Sequence, residues 1–216
     1  MDEIVIKVSN LSKRFKDKVI FENVNFELTK GKIYGFTGYN GCGKSVLFKI
    51  LSGLMSSTDG DVFIHNKKLG KDIDFPPDLG VIIESPGFLD DYSGYYNLKY
   101  LASIRNIIGE KEIKDVLKLV GLENDSNKKV KKYSLGMRQR LAIAQAIMEN
   151  PKILILDEPF NGLDKNGVIN IRNLLFNLKK NGTTILIASH ISEDIRLLCD
   201  EVFEFDNSTL VKIIKR

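Results

Sequence analysis

Residues 38–47 read GYNGCGKSVL, in which Gly38, Gly43, Lys44 and Ser45 fit the spacing G-x-x-x-x-G-K-[ST]. The short apolar run KIYGFT precedes the stretch, and behind it Val46, Leu47, Ile50, Leu51 and Leu54 recur at helical spacing. Strand, glycine loop and helix in that order make either a phosphate cradle or an ordinary strand-to-helix turn. As a cradle, Gly38, Tyr39, Asn40, Gly41, Cys42 and Gly43 aim successive backbone N–H groups at phosphate oxygens, and the helix adds the positive end of its dipole. Lys44 then reaches the β- and γ-phosphates, and the Ser45 hydroxyl ligates Mg²⁺. Cys42 is a small filler of the loop or a reactive thiol at a helix start.

Upstream, IVIKV (4–8) and VIFENVNFEL (19–28) read as strands, and DVFIHNKKL (61–69) as a hairpin turning near Asn66-Lys67. These predict an antiparallel β-subdomain. Downstream, LGVII (79–83) is strand-like, YYNLKYLASIRNI (95–107) is helical, and EKEIKDVLKLVGL (110–122) is a second helix with Gly121 as its stop. A helical insert is expected over roughly 86–135. Met137, Leu141, Ala144 and Met148 mark a helix closed off by Pro151. The chain then alternates: KILILD (152–157) and TTILIAS (183–189) are continuous apolar runs suited to strands buried on both faces, with the helical NGVINIRNLLFNLKK (166–180) between them. EVFEFDNSTLVKII (201–214) reads as a hairpin turning at Asn207-Ser208. The expectation is one α/β domain over 1–216 with a largely parallel core sheet.

ILILDEP ends a buried strand in two adjacent carboxylates. In open parallel sheets, ligands sit at the carboxyl ends of the strands, beside such a glycine loop. Asp157 is placed to hold Mg²⁺, directly or through water, and Glu158 to polarise an attacking water.

With the loop and the acidic pair in hand, YSLGMRQRLAIAQA (133–146) makes the chain resemble, over nearly its whole length, the ATP-binding subunit of ABC transporters. Read alone, Ser134 is a helix N-cap, and the free N–H groups near Gly136 are a helix-start anion site. The resemblance implies more: Ser134 and Gly136 cap the γ-phosphate held by a second subunit, so that two ATPs are sandwiched in a head-to-tail homodimer or a heterodimer with a similar ATPase. It implies that Phe15 stacks on adenine, that Asp164 in NGLD (161–164) couples the two sites, and that His190 contacts the γ-phosphate. His65 is read as structural.

Four positions, in three motifs, depart from the family pattern. Val46 stands where a Thr hydroxyl reaches the α-phosphate, Leu135 and Met137 replace the usual Gly and Gln of the signature, and Glu84 replaces a Mg²⁺-sensing glutamine with a carboxylate that can still ligate Mg²⁺ or its water, beside Ser45 and Asp157. The Glu-for-Gln exchange, with SPGFLDDYSGYYNLKYLA after it, resembles the subgroup that protects bacteria from lantibiotics and bacitracin. The fold expected is thus a P-loop NTPase nucleotide-binding domain using ATP and Mg²⁺ beneath a separate transmembrane permease. A soluble ABC ATPase acting on ribosomes or DNA, or an exporter of other cargo, is the alternative.

Composition narrows the classes. Lys and Arg number 32 against 28 Asp and Glu, a net +4 that gives no strong pull toward nucleic acid. The basic run Lys128-Lys129-Val130-Lys131-Lys132 has no interleaved aromatics for base stacking. Two distant cysteines suggest neither disulfide nor zinc, which fits a reducing cytoplasm. No apolar run approaches the roughly 20 residues that span a bilayer, and the N-terminus lacks a secretory leader. The expected location is the cytoplasmic face of the membrane, held there by the permease.

Overall fold

A computed structural model describes residues 3–84 and 87–213. The expected start of the helical insert at 86 and the last residue of the terminal hairpin, 214, lie outside the described residues.

A six-stranded sheet forms the centre, in the order β10 (Thr209–Ile213), β9 (Glu201–Asp206), β3 (Ile33–Thr37), β8 (Thr184–Ala188), β7 (Ile153–Asp157), β6 (Leu79–Ile82). Five of these strands are parallel; only β10 returns antiparallel, through Asn207 and Ser208 with φ of 43° and 65°. A second, antiparallel sheet has the order β2 (Lys18–Thr29), β1 (Ile4–Phe15), β4 (Asp59–Ile64), β5 (Lys67–Lys68).

Strand alternation explains why the runs ILILD and TILIA are apolar throughout. Ile153, Ile155, Leu186 and Ala188 face a core shared with the antiparallel sheet and α1 (Lys44–Leu51). Leu154, Leu156, Ile185 and Ile187 face the opposite core, which continues into α2 (Gly94–Arg105), α3 (Glu110–Leu119), α4 (Leu135–Ile147) and α5 (Lys165–Lys180). Because successive side chains point to opposite faces, a strand between two cores needs an apolar residue at every position. Phe36 anchors the first core, stacked on Phe203 and edge-on to Phe48. The helical segment packs into the second core through Leu98, Ala102, Ile113, Val116, Leu117 and Leu141.

Several expected boundaries move, for local reasons. The first two strands are 12 residues each, because register shifts after Val8 and Leu11 break the alternation that marks a strand in sequence. The β4–β5 hairpin turns at His65-Asn66, one residue early, where both adopt left-handed backbone. The helix expected to reach Leu54 ends at Leu51, and α3 ends at Leu119 just before Gly121 turns left-handed. Ser93 caps α2, its hydroxyl accepting from Tyr96 N at 3.1 Å. A short helix, α6 (Ser192–Leu198), lies where no element was anticipated. No helix among the described residues is long and apolar enough to cross a membrane.

The contact that seats the helical segment on the sheet is at Gly80 in β6. A Cβ there would lie 2.0 Å from the carbonyl oxygen of Ala146, near the end of α4. Gly80→Ala should therefore force the backbones apart and destabilise the fold by about 3 kcal/mol or more. Urea unfolding followed by circular dichroism checks this, and a midpoint unchanged from the parent chain would contradict the contact.

Candidate functional site

The loop between β3 and α1 starts from a buried strand and ends in a helix that buries Leu47, Phe48, Ile50 and Leu51, so its polar edge is held rigidly. Gly43 caps α1 with φ 117°, and a side chain there would also collide with Ile20 at 2.9 Å. Lys44 is buried, and its Nζ donates to the Gly38 and Tyr39 carbonyls at 2.9 and 3.2 Å. Cys42 is buried too, with its Sγ 3.7 Å from Lys44 Nζ. The ammonium is thus encircled by its own loop, a ring of donors and one cation facing a cavity of about 490 Å³. Gly41, Gly43, Asn40, Ser45 and Val46 border that cavity.

Across it stand the ends of β6 and β7. Ser45 Oγ donates to Asp157 Oδ2 at 2.5 Å, tying the first turn of α1 to the end of β7. Burial pushes the Asp157 carboxyl above its ordinary range; the Ser45 hydrogen bond and the Lys44 charge pull it back, and Glu84 pushes it up further. Glu158 follows in left-handed backbone, φ 51°, with its N–H bonded to the Ala188 carbonyl at 2.9 Å. That conformation costs a bulky residue on the order of 1 kcal/mol and is typical of functional positions. Glu158 Oε2 lies 2.9 Å from His190 Nδ1, at the loop beyond β8. Lys44, Ser45, Glu84, Asp157 and Glu158 all line the one cavity, and His190 joins it through Glu158.

Ser134, Gly136 and Asp164 gather elsewhere, on a second cavity of about 350 Å³. Ser134 caps α4, accepting from Met137 N at 3.2 Å, and Asp164 caps α5, accepting from Gly167 N at 3.1 Å. Arg140 binds Asp164 at 3.3 Å and the Val120 carbonyl at 3.0 Å. Gly136 must be bare, since a Cβ would meet the Gly162 carbonyl at 2.6 Å. Leu135 in turn lies over Gly162, where an added Cβ would come 2.5 Å from Leu135 Cγ.

Phe15 stands apart from both groups, at the exposed tip of β1 with Lys13 Nζ 4.8 Å from its ring centroid. Val46 is partly buried against the core around α1. Glu84 has φ 61° and its Oε1 is bonded to Lys49 Nζ at 2.5 Å. Gln139, which lines the cavity, and Lys49, which touches it only through Glu84, carry no distinguishing signal in sequence. Gln139, one turn after Leu135 on α4, donates to the Pro159 carbonyl at 3.0 Å and so braces the turn after Glu158. Lys49 looked like one more surface lysine on an amphipathic helix.

Comparison with known proteins agrees with this geometry. The ABC transporter family matches residues 21–161. The uncharacterized ABC transporter ATP-binding protein YybJ of Bacillus subtilis (strain 168) is 46% identical over 206 residues, spanning 95% of this chain and 94% of that protein. The bacitracin transport ATP-binding protein BcrA of Enterococcus faecalis is 40% identical, spanning 97% of this chain and 69% of its own length. The lantibiotic transport ATP-binding protein SrtF of Streptococcus pyogenes is 40% identical, over 91% of this chain and 84% of its own. Among solved structures, an ATP-binding subunit of an ABC transporter superposes with a TM-score of 0.87 at 25% identity, covering 97% of this chain and 89% of that one. CbiO1 from Clostridium perfringens superposes with a TM-score of 0.82 at 30% identity, covering 98% and 88%. The chain is therefore an ATP-binding, ATP-hydrolysing subunit and belongs to the ABC transporter family.

Proposed function

We propose that this chain drives a separate membrane permease that protects its cell from antimicrobial peptides, working as a head-to-tail dimer around two ATPs. Glu84 carries the cargo reading. A carboxylate borders the nucleotide cavity where a glutamine is the family's habit, in a chain 40% identical to proteins named for bacitracin and lantibiotic transport.

The dimer reading is supported by the separation of the two cavities. Ser134 and Gly136 do not line the cavity of their own phosphate loop. A helix start with free N–H groups serves an anion only when one is brought to it. In a head-to-tail pair, the Ser134–Gly136 end of one copy covers the phosphate loop of the other, and Asp164 lies beside that contact.

Within each site, the loop amides and Lys44 hold the β- and γ-phosphates, with Lys44 exchanging carbonyl partners for phosphate oxygens. Ser45 and Asp157 fit a hard cation: a hydroxyl and a buried, desolvated carboxylate make an oxygen-only donor pair. Mg²⁺ takes the rest of its shell from water and phosphate. When bound, Mg²⁺ supplies charge neutralisation at the transferred phosphoryl group. Glu158 orients the attacking water as general base, and His190 fixes the Glu158 carboxylate from the far side. Val46 offers no hydroxyl to the α-phosphate.

Glu158→Gln should bind ATP within about three-fold of the parent and dimerise with it, while phosphate release falls about 100-fold or more. Undiminished turnover would remove Glu158 from the role of general base. Val46→Thr should tighten ATP binding by about ten-fold, because a hydrogen bond to a charged group contributes about 1.5–3 kcal/mol. Equal affinity in calorimetry would show that residue 46 does not reach the phosphates. Deleting the gene should sensitise cells to bacitracin or to lantibiotics. Unchanged inhibitory concentrations across a panel of both would overturn the cargo reading and leave the ATPase assignment standing.

A further inference from the structure

α1 carries two polar residues one turn apart on a single face, Ser45 and Lys49. Each meets a carboxylate at the end of a neighbouring core strand. Ser45 Oγ donates to Asp157, the last residue of β7, and Lys49 Nζ donates to Glu84, two residues beyond β6. β6 and β7 are hydrogen-bonded in parallel with Ile82 opposite Leu156, so the two carboxylates arrive side by side beneath one helix. The nucleotide-binding roles use Ser45, Asp157 and Glu84. None of them uses Lys49.

We infer that Lys49 is the counter-charge of Glu84, holding that carboxylate as an ion pair at the rim of the nucleotide cavity and thereby setting how strongly the cavity draws a divalent cation. The inference rests on the reading of Ser45 and Asp157 as the residues that hold Mg²⁺.

Charge balance gives the reason. Besides Glu158, which lies against His190, Asp157 and Glu84 place two further carboxylates on the cavity, and the Lys44 ammonium is enclosed by the Gly38 and Tyr39 carbonyls. With Lys49 bonded to Glu84 at 2.5 Å, the second carboxylate is neutralised as a pair. The Glu84 side chain is 66% exposed and that of Lys49 27%, so water screens the pair and it holds weakly enough to be exchanged for a better partner. The position of Lys49 in the last turn of α1 favours a cation there independently of Glu84. Without Lys49, a free carboxylate stands beside Asp157. Such a site attracts a divalent cation more strongly and repels a bare polyphosphate more strongly. A glutamine at position 84 needs no counter-charge, so the whole effect of Lys49 should pass through Glu84. A purely structural pair, pinning β6 to α1, would change stability and leave cation affinity alone.

The experiment is a double-mutant cycle of the parent chain, Lys49→Met, Glu84→Gln and the double variant. Mn²⁺ is titrated onto each protein saturated with ADP, with free Mn²⁺ read by electron paramagnetic resonance, and ADP is titrated separately without metal by calorimetry. Lys49→Met should tighten Mn²⁺ about three- to ten-fold and weaken metal-free ADP binding by a similar factor. The double variant should match Glu84→Gln in both titrations. An unchanged Mn²⁺ dissociation constant in folded Lys49→Met overturns the inference, as does a shift of the same size in the Glu84→Gln background. Asp157→Asn serves as the control for the underlying reading. Loss of Mn²⁺ affinity there with no effect of Lys49→Met sinks only the counter-charge role, whereas Mn²⁺ affinity indifferent to Asp157→Asn removes the metal site and the inference with it.

Discussion

The hydrogen bond between Ser45 and Asp157 joins residues 112 apart in the chain and sets the register of everything around it. Its acceptor is the last residue of a strand whose other four side chains are buried, so the carboxylate is the first polar group that β7 can present. Its donor lies in the first turn of α1, directly after the glycine loop. Fixing these two atoms places the loop amides over the carboxyl ends of the parallel strands. Glu158, the next residue after Asp157, and Glu84, two residues beyond β6, border the same cavity. The carboxylate is desolvated in the process, which raises its proton affinity and leaves it short of favourable contacts. The Ser45 hydroxyl and the Lys44 ammonium compensate only part of that loss, and the proposed Mg²⁺ would supply the rest.

The same economy of contacts shapes the other end of the molecule. Gly136 and Gly162 allow the start of α4 and the turn before α5 to touch backbone to backbone, and Leu135 fills the space over Gly162. Asp164, capping α5 and bonded to Arg140 of α4, makes the same junction through side chains. The start of α4 and the turn into α5 are therefore coupled by sterics and by charge. In the proposed head-to-tail dimer, that junction would face the second nucleotide, and Gln139 of the same helix α4 donates to the Pro159 carbonyl beside Glu158.

Sequence pattern is strongest where one physical cause acts on consecutive residues. The buried strands β7 and β8 were legible because two cores demand apolar residues throughout, and the phosphate loop because close backbone approach demands glycine. Ser45, Asp157 and Glu158 followed from their place at strand and helix ends. Where causes overlap, the pattern fades. Bulges in β1 shift its alternation midway, which concealed half its length. α6, at seven residues, is too short for helical periodicity to register. Gln139 and Lys49 work through single long-range hydrogen bonds, and nothing about a glutamine in RQR or a lysine in LFKIL announces its partner. The separation of Ser134 and Gly136 from their own phosphate loop is a matter of tertiary placement, which spacing does not encode.

The three departures from the family pattern have a common physical form. Val46 gives up a hydroxyl and packs against the core beneath α1. Leu135 adds bulk where a glycine is usual and finds its space over Gly162. Glu84 adds a charge and finds Lys49. In each case the change is met by a neighbour within contact distance, so none requires the phosphate loop or the acidic strand ends to move. Two of these compensations are apolar, Val46 partly buried and Leu135 exposed over Gly162. The third is an exposed ion pair, cheap to open, and it stands at the rim of the cavity where charge arrives and leaves during each turnover. Among the three, only the exchange at position 84 brings a charge to the cavity, so it is there that the inferred influence on a bound cation would act.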